Sequence, residues 1–151
     1  MGNKRMKRIN LQGKTKAQPG KAEKYWFRNE RIGLENTLFH RIYIPLEPFD
    51  SGLKYEDQPV ETEIVIEWLK LDLVDPDNLD GIEVSNRAYE DAEASIYIGH
   101  AHNICDIKKL TFKRIEKDIY QVTGDIVVDF ENEGVAQNES FSFQTMIKYE
   151  R

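Results

Sequence analysis

Between Tyr120 and Tyr149 apolar residues return at every second position, and this alternation constrains the fold more than any other feature of the chain. Tyr120, Val122, Ile126, Val128 and Phe130 share one parity, with Gln121, Thr123, Asp125 and Asp129 on the other. Phe141, Phe143, Ile147 and Tyr149 repeat the pattern against Ser142, Gln144 and Lys148. Successive side chains of an extended strand point to opposite faces, so period two marks antiparallel strands with one buried and one wet face. Leu110 and Phe112 lie just upstream, across a short Glu116-Lys117-Asp118 connection, while residues 131–139 form a longer one containing Gly134. The expectation is a meander running from about residue 94 to residue 150.

The middle of the chain is less regular. Leu38, His40, Ile42 and Ile44 alternate with Phe39, Arg41 and Tyr43 until Pro45 and Pro48, which have no N–H for a strand ladder, end the run. Residues 49–60 read as a loop with turn chemistry at Asp50-Ser51-Gly52. In residues 61–73, Ile64, Trp68 and Leu71 would suit a helix face, but the β-branched residues and the following turn favour a strand. Asp75 as a cap, Pro76 at a first helical position and Gly81 at a left-handed exit imply one helical turn, followed by a short strand at Ile82-Glu83-Val84. Residues 86–94, with Arg87, Ala88, Glu90, Ala92 and Glu93, read as a short helix. The expected class is mainly β, with α+β as the alternative. Its architecture is an antiparallel β-sandwich or a curved sheet with a C-terminal meander and one or two short helices.

Charge divides the chain more sharply than its net −6 suggests. Residues 1–24 hold eight basic residues and one acid, a net +7, while residues 25–151 hold 13 basic and 26 acidic residues, a net −13. The expected organisation is therefore a basic N-terminal arm, 1–24, on a single acidic domain, 25–151. The arm is too poor in apolar residues to order itself, so it is either a mobile tail or lies on the acidic body. Docking is the expectation. One cysteine permits no internal disulfide, and with neither a secretory signal pattern nor an apolar run of membrane-spanning length the expected location is the cytoplasm.

Gly99-His100-Ala101-His102-Asn103-Ile104-Cys105 is the sharpest cluster of chemically able residues. On an unbroken strand His100 and His102 project from one face and can chelate a metal, completed by His40 or a carboxylate. The competing reading is a pair of rim histidines or a turn around Ala101. A nucleophilic Cys105 would need exposure and a stabilised thiolate; an inert buried thiol is the plainer reading. Asp75, Asp77 and Asp80 fail the calcium-loop spacing, because Leu79, Asp80 and Asn86 fall where a ligand, glycine and glutamate are needed. No phosphate-cradling glycine loop, nucleophile elbow or zinc-protease helix motif is present, so no cofactor and no enzymatic activity are expected.

The charge asymmetry favours recognition over catalysis. An acidic surface accelerates encounter with a basic protein and rejects wrong partners. In size, acidity and lack of catalytic motifs the chain is similar to small bacterial toxin-immunity proteins, and an inhibitor-like, protein-binding role is the first expectation. The acid-rich loops supply the candidate contacts: Glu56, Asp57, Glu61 and Glu63 in one, Asp72, Asp75, Asp77 and Asp80 in the other. A metal-dependent enzyme using His100 and His102 is the second reading. A third is a nucleic-acid-binding adaptor acting only through the arm, where basic residues precede Tyr25-Trp26-Phe27. No membrane partner is expected, and the oligomeric state is left open.

Overall fold

The computed structural model describes residues 6–151. Strand accounts for 54% of the chain and helix for 5%, which places it in the mainly β class. After a four-residue helix, α1 (Leu11–Lys14), the strands are β1 (Gly20–Asn29), β2 (Leu34–Pro45), β3 (Glu63–Leu69), β4 (Glu83–Val84), β5 (Glu93–Ile98), β6 (Ala101–Glu116), β7 (Ile119–Val128) and β8 (Glu139–Glu150). A 3-10 turn, Glu30–Ile32, joins β1 to β2.

Seven strands close on themselves in the order β6-β5-β3-β2-β1-β8-β7, with β7 returning to β6, and β4 is an extra strand beside β6. The fold is thus a closed barrel and not the sandwich that alternation allowed. All neighbours are antiparallel except β1 and β8, which run parallel over Gly20–Glu23 and Ile147–Glu150. The β5–β8 meander forms as expected. Its long strand β6 pairs through Ala101–Cys105 with β5 and through Cys105–Glu116 with β7, so one strand serves two successive stretches of wall.

Bulges supply the bending that closure needs, because an extra residue in one strand kinks it and increases local twist. One lies in β3, where Ile42 faces Ile66 but His40 faces Leu69. Trp68 there has φ 58. Ile66 and Leu69 consequently both turn inward, while Trp68 joins Tyr25, Phe27 and Phe39 in an aromatic cluster on the outside, with ring centroids 4.9–6.1 Å apart. Another lies in β6, between Ile107 and Lys109, and leaves Lys108 and Lys109 both exposed.

The interior is filled. Ile42, Ile44, Ile64, Ile66, Ile96, Val122, Ile126, Phe141 and Ile147 are each at most 1% exposed. At about 1.5–3 kcal/mol for each large apolar side chain buried, this core is the main source of stability. At the end where β5 turns into β6, Ile9 and Leu11 are fully buried beside Phe49 and Leu53 in the same core cluster. The backbone N–H groups of Asn10 and Leu11 each donate to the Glu139 carboxylate at 2.7 Å. The described part of the basic segment is therefore docked, and β1 crosses the expected arm boundary at Lys24. Lys7 donates to the Gly52 carbonyl, Lys16 pairs with Glu47, Lys21 lies over the Tyr43 ring and Lys24 pairs with Asp77.

Neither expected helix beyond residue 70 forms. Over 75–81 the Asp75 side chain accepts from the Asp77 N–H and Asn78 N–H returns to the Asp75 carbonyl, closing a tight turn. Residues 86–94 make turns and then enter β5: the Ser85 carbonyl accepts from Ala88 and Tyr89, and the Asn86 amide accepts from Ile107 N–H while donating to the Ala92 carbonyl. Short polar side chains that bond nearby backbone compete with helix, and here they prevail over propensity.

Candidate functional site

With its interior packed, the barrel offers its chemistry on the outer wall. Outward-facing residues of β2, β3, β5 and β6 line an open trough of about 690 Å³. Glu61, Glu63 and Glu67 supply carboxylates along it, with Tyr43, Tyr97 and His102 beside them. The period-two alternation that sends Ile64, Ile66 and Ile96 inward sends Glu63, Val65, Glu67 and Tyr97 out. Thr62 hydroxyl donates to the Tyr97 carbonyl at 2.7 Å, tying the approach to β3 onto β5.

The charges differ in how far they are answered. Arg41 donates to Glu23 at 2.8 and 3.1 Å, lies 3.7 Å from Glu67 and stacks over Tyr25 with its guanidinium 4.5 Å from the ring centre. Among the described residues, Glu61 and Glu63 have no cation within ion-pair distance. A second hollow of about 630 Å³ continues the same wall, sharing Glu67 and Ser95 with the trough. It adds Glu90, Glu93, Asp106 and Asp129 around Ile104, with Lys108 bound to Asp106 at 2.6 Å. Ile104 is 61% exposed and Tyr97 47% exposed, so the acidic wall also presents apolar surface.

The eight acids singled out by loop composition divide between opposite ends of the barrel. Glu61 and Glu63 line the trough, and Glu56 and Asp57 border an adjoining hollow with Tyr97 and His100. Glu56 has a structural task as well, accepting from Gly99 N–H and from the Ser51 hydroxyl, each at 2.8 Å. Asp72, Asp75, Asp77 and Asp80 follow the far end of β3 and do not join that wall. Asp80 accepts from Arg114 N–H at 2.8 Å, and Asp77 binds Lys24 and the Tyr149 hydroxyl. Glu67, Glu93, Asp106 and Ile104, which loop composition missed, were signalled only by their outward parity once the strands are placed.

Gly99 and His100 form the two-residue turn between β5 and β6, with φ 68 and 60. A left-handed pair is the geometry of a tight hairpin. It interrupts the strand parity, so His100 and His102 do not project as a pair: His100 packs against Tyr55, with ring centroids 5.4 Å apart, and His102 against Tyr97 at 4.7 Å. His40 cannot complete a site with them, because it opposes Leu69 at the other end of β3. Among the described residues no group of three or more His, Cys, Asp or Glu is placed to hold a metal ion. Cys105 faces inward at 2% exposure, and burial pushes its thiol up to about 12, which suppresses the thiolate a nucleophile needs.

The far end of the barrel carries a polar network instead. His40, 3% exposed, sets Nε2 2.8 Å from the Pro76 carbonyl, an acceptor that assigns the ring proton to Nε2. Desolvation lowers the His40 pKa from its ordinary 6.5, outweighing the bond to Pro76. Lys24 and then the Tyr149 hydroxyl hold the Asp77 carboxyl below its ordinary 3.8. Burial, with Asp77 adding to it, raises the Tyr149 hydroxyl. The two acid-sensitive effects occupy separate pH windows. Because the fold lowers the His40 pKa, the unfolded chain takes up its proton first, so stability falls as pH drops from 6.5 towards the folded-state pKa, by up to about 1.4 kcal/mol per unit. The contribution of Asp77 is present above 3.8 and is lost only at lower pH. Urea titrations between pH 5 and 7 should show His40→Gln flattening the upper slope.

No protein-family model matches the chain, no curated protein matches it and no solved structure matches it. No helix among the described residues is long and apolar enough to cross a membrane.

Proposed function

We propose that this protein is a non-enzymatic binding module whose acidic outer wall receives a basic protein partner, as an inhibitor or an immunity-like protein would. The observation that carries the reading is the trough on β2, β3, β5 and β6, where Glu61 and Glu63 lie unanswered beside Tyr43 and Tyr97. Unpaired carboxylates attract a cationic surface over distance, and adjacent aromatic rings supply the apolar contact and the faces for lysine or arginine that make an encounter last. The acids Glu56 and Asp57 extend this wall at the hairpin end. Asp72, Asp75, Asp77 and Asp80 have no part in it.

The double substitution Glu61→Lys/Glu63→Lys tests the reading, since both carboxylates leave the core untouched. A basic protein captured by the wild type from its host extract should bind the variant at least about tenfold more weakly, and its wild-type affinity should fall as salt rises. A captured partner indifferent to both the substitution and the salt would reject the proposal.

A further inference from the structure

β1 continues well past the barrel. β8 pairs with it only through Glu23, while β1 itself runs to Asn29 with β2 as its one neighbour there among the described residues. Residues 24–29 therefore present a row of backbone groups on the side β8 has left. An unpaired edge is a template for another strand, and a two-stranded ribbon is marginal by itself. Its other edge, on β2, is less receptive. The register shift of the ribbon falls there, Glu35 and Asn36 together opposing Arg28, while Lys70 and Leu73 share with Trp26, Thr37 and Leu38 a cleft of about 340 Å³ on one face of the ribbon. The β1 edge has no bulge and no proline, and it carries Trp26 at 63% exposure.

We propose that this edge pairs, antiparallel, with the same edge of a second copy, the two-fold axis passing through Phe27. Charge selects both the occupant and the register. With Phe27 on the axis, Tyr25 stands opposite Asn29 of the second copy and Trp26 opposite its Arg28, all within the extended residues of β1. Each pairing occurs twice by symmetry, and strand neighbours of this kind are where cross-strand contacts act. The exposed indole gains a guanidinium over its face, and the exposed Arg28, now 3.7 Å from Glu30, gains an aromatic partner across the axis. The outer aromatic cluster of Tyr25, Phe27, Phe39 and Trp68 becomes continuous through Phe27. Registers that keep each sheet face on its own side must centre on a residue. Centring on Trp26 sets Lys24 against Arg28, and centring on Arg28 sets that residue against itself; both juxtapose like charges. The trough lies on other strands, so this pairing stands or falls independently of the proposed function.

Sedimentation of the full chain should give a reversible dimer of twice the 17.7 kDa chain mass. Arg28→Glu, at an exposed position, should weaken it by at least about tenfold. Register is read separately by mixing two preparations that each add one surface cysteine to the buried Cys105, Trp26→Cys and Arg28→Cys. Under mild oxidation the mixture should form a cross-linked dimer that neither preparation forms alone, because only opposite positions bring two cysteines within disulfide reach. Asn36→Cys, on the other edge, should not cross-link. A monomer at about 200 µM, a dimer indifferent to Arg28→Glu, or cross-linking through position 36 would each overturn the proposal.

Discussion

Gly20→Ala is expected to cost about 3 kcal/mol or more, a large share of the roughly 5–15 kcal/mol that keeps a domain folded. Gly20 lies at the seam where β1 is held between β2 and the parallel strand β8, opposite Ile147. A methyl group there would fall on the Tyr43 carbonyl oxygen and close to the Ile44 backbone. Neither neighbour can rotate away as a side chain could, so relief must come from separating strands whose pairing closes the barrel. Gly134→Ala is the matched control. Its φ of 68 is also unfavourable for alanine, but nothing lies within 4 Å of the added carbon, so about 1 kcal/mol is expected. Urea unfolding of the two variants beside the wild type measures both. A Gly20→Ala protein as stable as the Gly134→Ala protein would mean that the β1–β2 seam is looser than described.

The second large effect is expected at Glu139. Its carboxylate, 7% exposed, accepts from the backbone of both Asn10 and Leu11 and so clamps the N-terminal segment across the open end of the barrel. Hydrogen bonds to a charged group contribute about 1.5–3 kcal/mol each, and removing the acceptor also strands two backbone donors. Glu139→Ala should therefore lose about 3 kcal/mol or more and release Ile9 and Leu11 from the core. Amide exchange distinguishes local release from general weakening: Asn10 and Leu11 should exchange about 100-fold faster while amides of β7 change less. Glu139→Gln, which keeps one acceptor oxygen, should fall between. Equal acceleration across the whole barrel would show that the segment and the barrel unfold as a unit.

Much of the wall was legible residue by residue. The alternation at Tyr120–Phe130 and Phe141–Tyr149 correctly divides buried from exposed side chains, and the same logic holds for Ile42 and Ile44. The reading failed where one residue changes the count. Gly99 and His100 occupy a turn, so the histidines are not the strand pair their spacing suggested. The bulge at Trp68 sends two consecutive side chains outward, a choice made by how β3 pairs with β2. The acidic candidates separate for a related reason. Asp50–Glu63 and Asp72–Glu83 are similar in composition, yet they flank opposite ends of β3, and a strand keeps its two ends apart. Glu139, one acid among many in the sequence, becomes a clamp only because the first residue of β8 meets the backbone of α1.

The division follows from what each kind of information can carry. Alternation, turn chemistry and charge are local properties, and from them alone came the mainly β class, the final meander, the buried parity of its strands and the split between a basic beginning and an acidic body. Closure is a property of strand edges far apart in the chain. Whether β7 meets β6 while β1 meets β8, making a barrel in place of a sandwich, depends on bulges, stagger and pairing that leave the alternation unchanged. The same non-local pairing gathered Glu61, Glu63 and Tyr97 onto one wall, set Asp72, Asp75, Asp77 and Asp80 at the other end, and left the edge of β1 beyond Glu23 without a neighbour among the described residues.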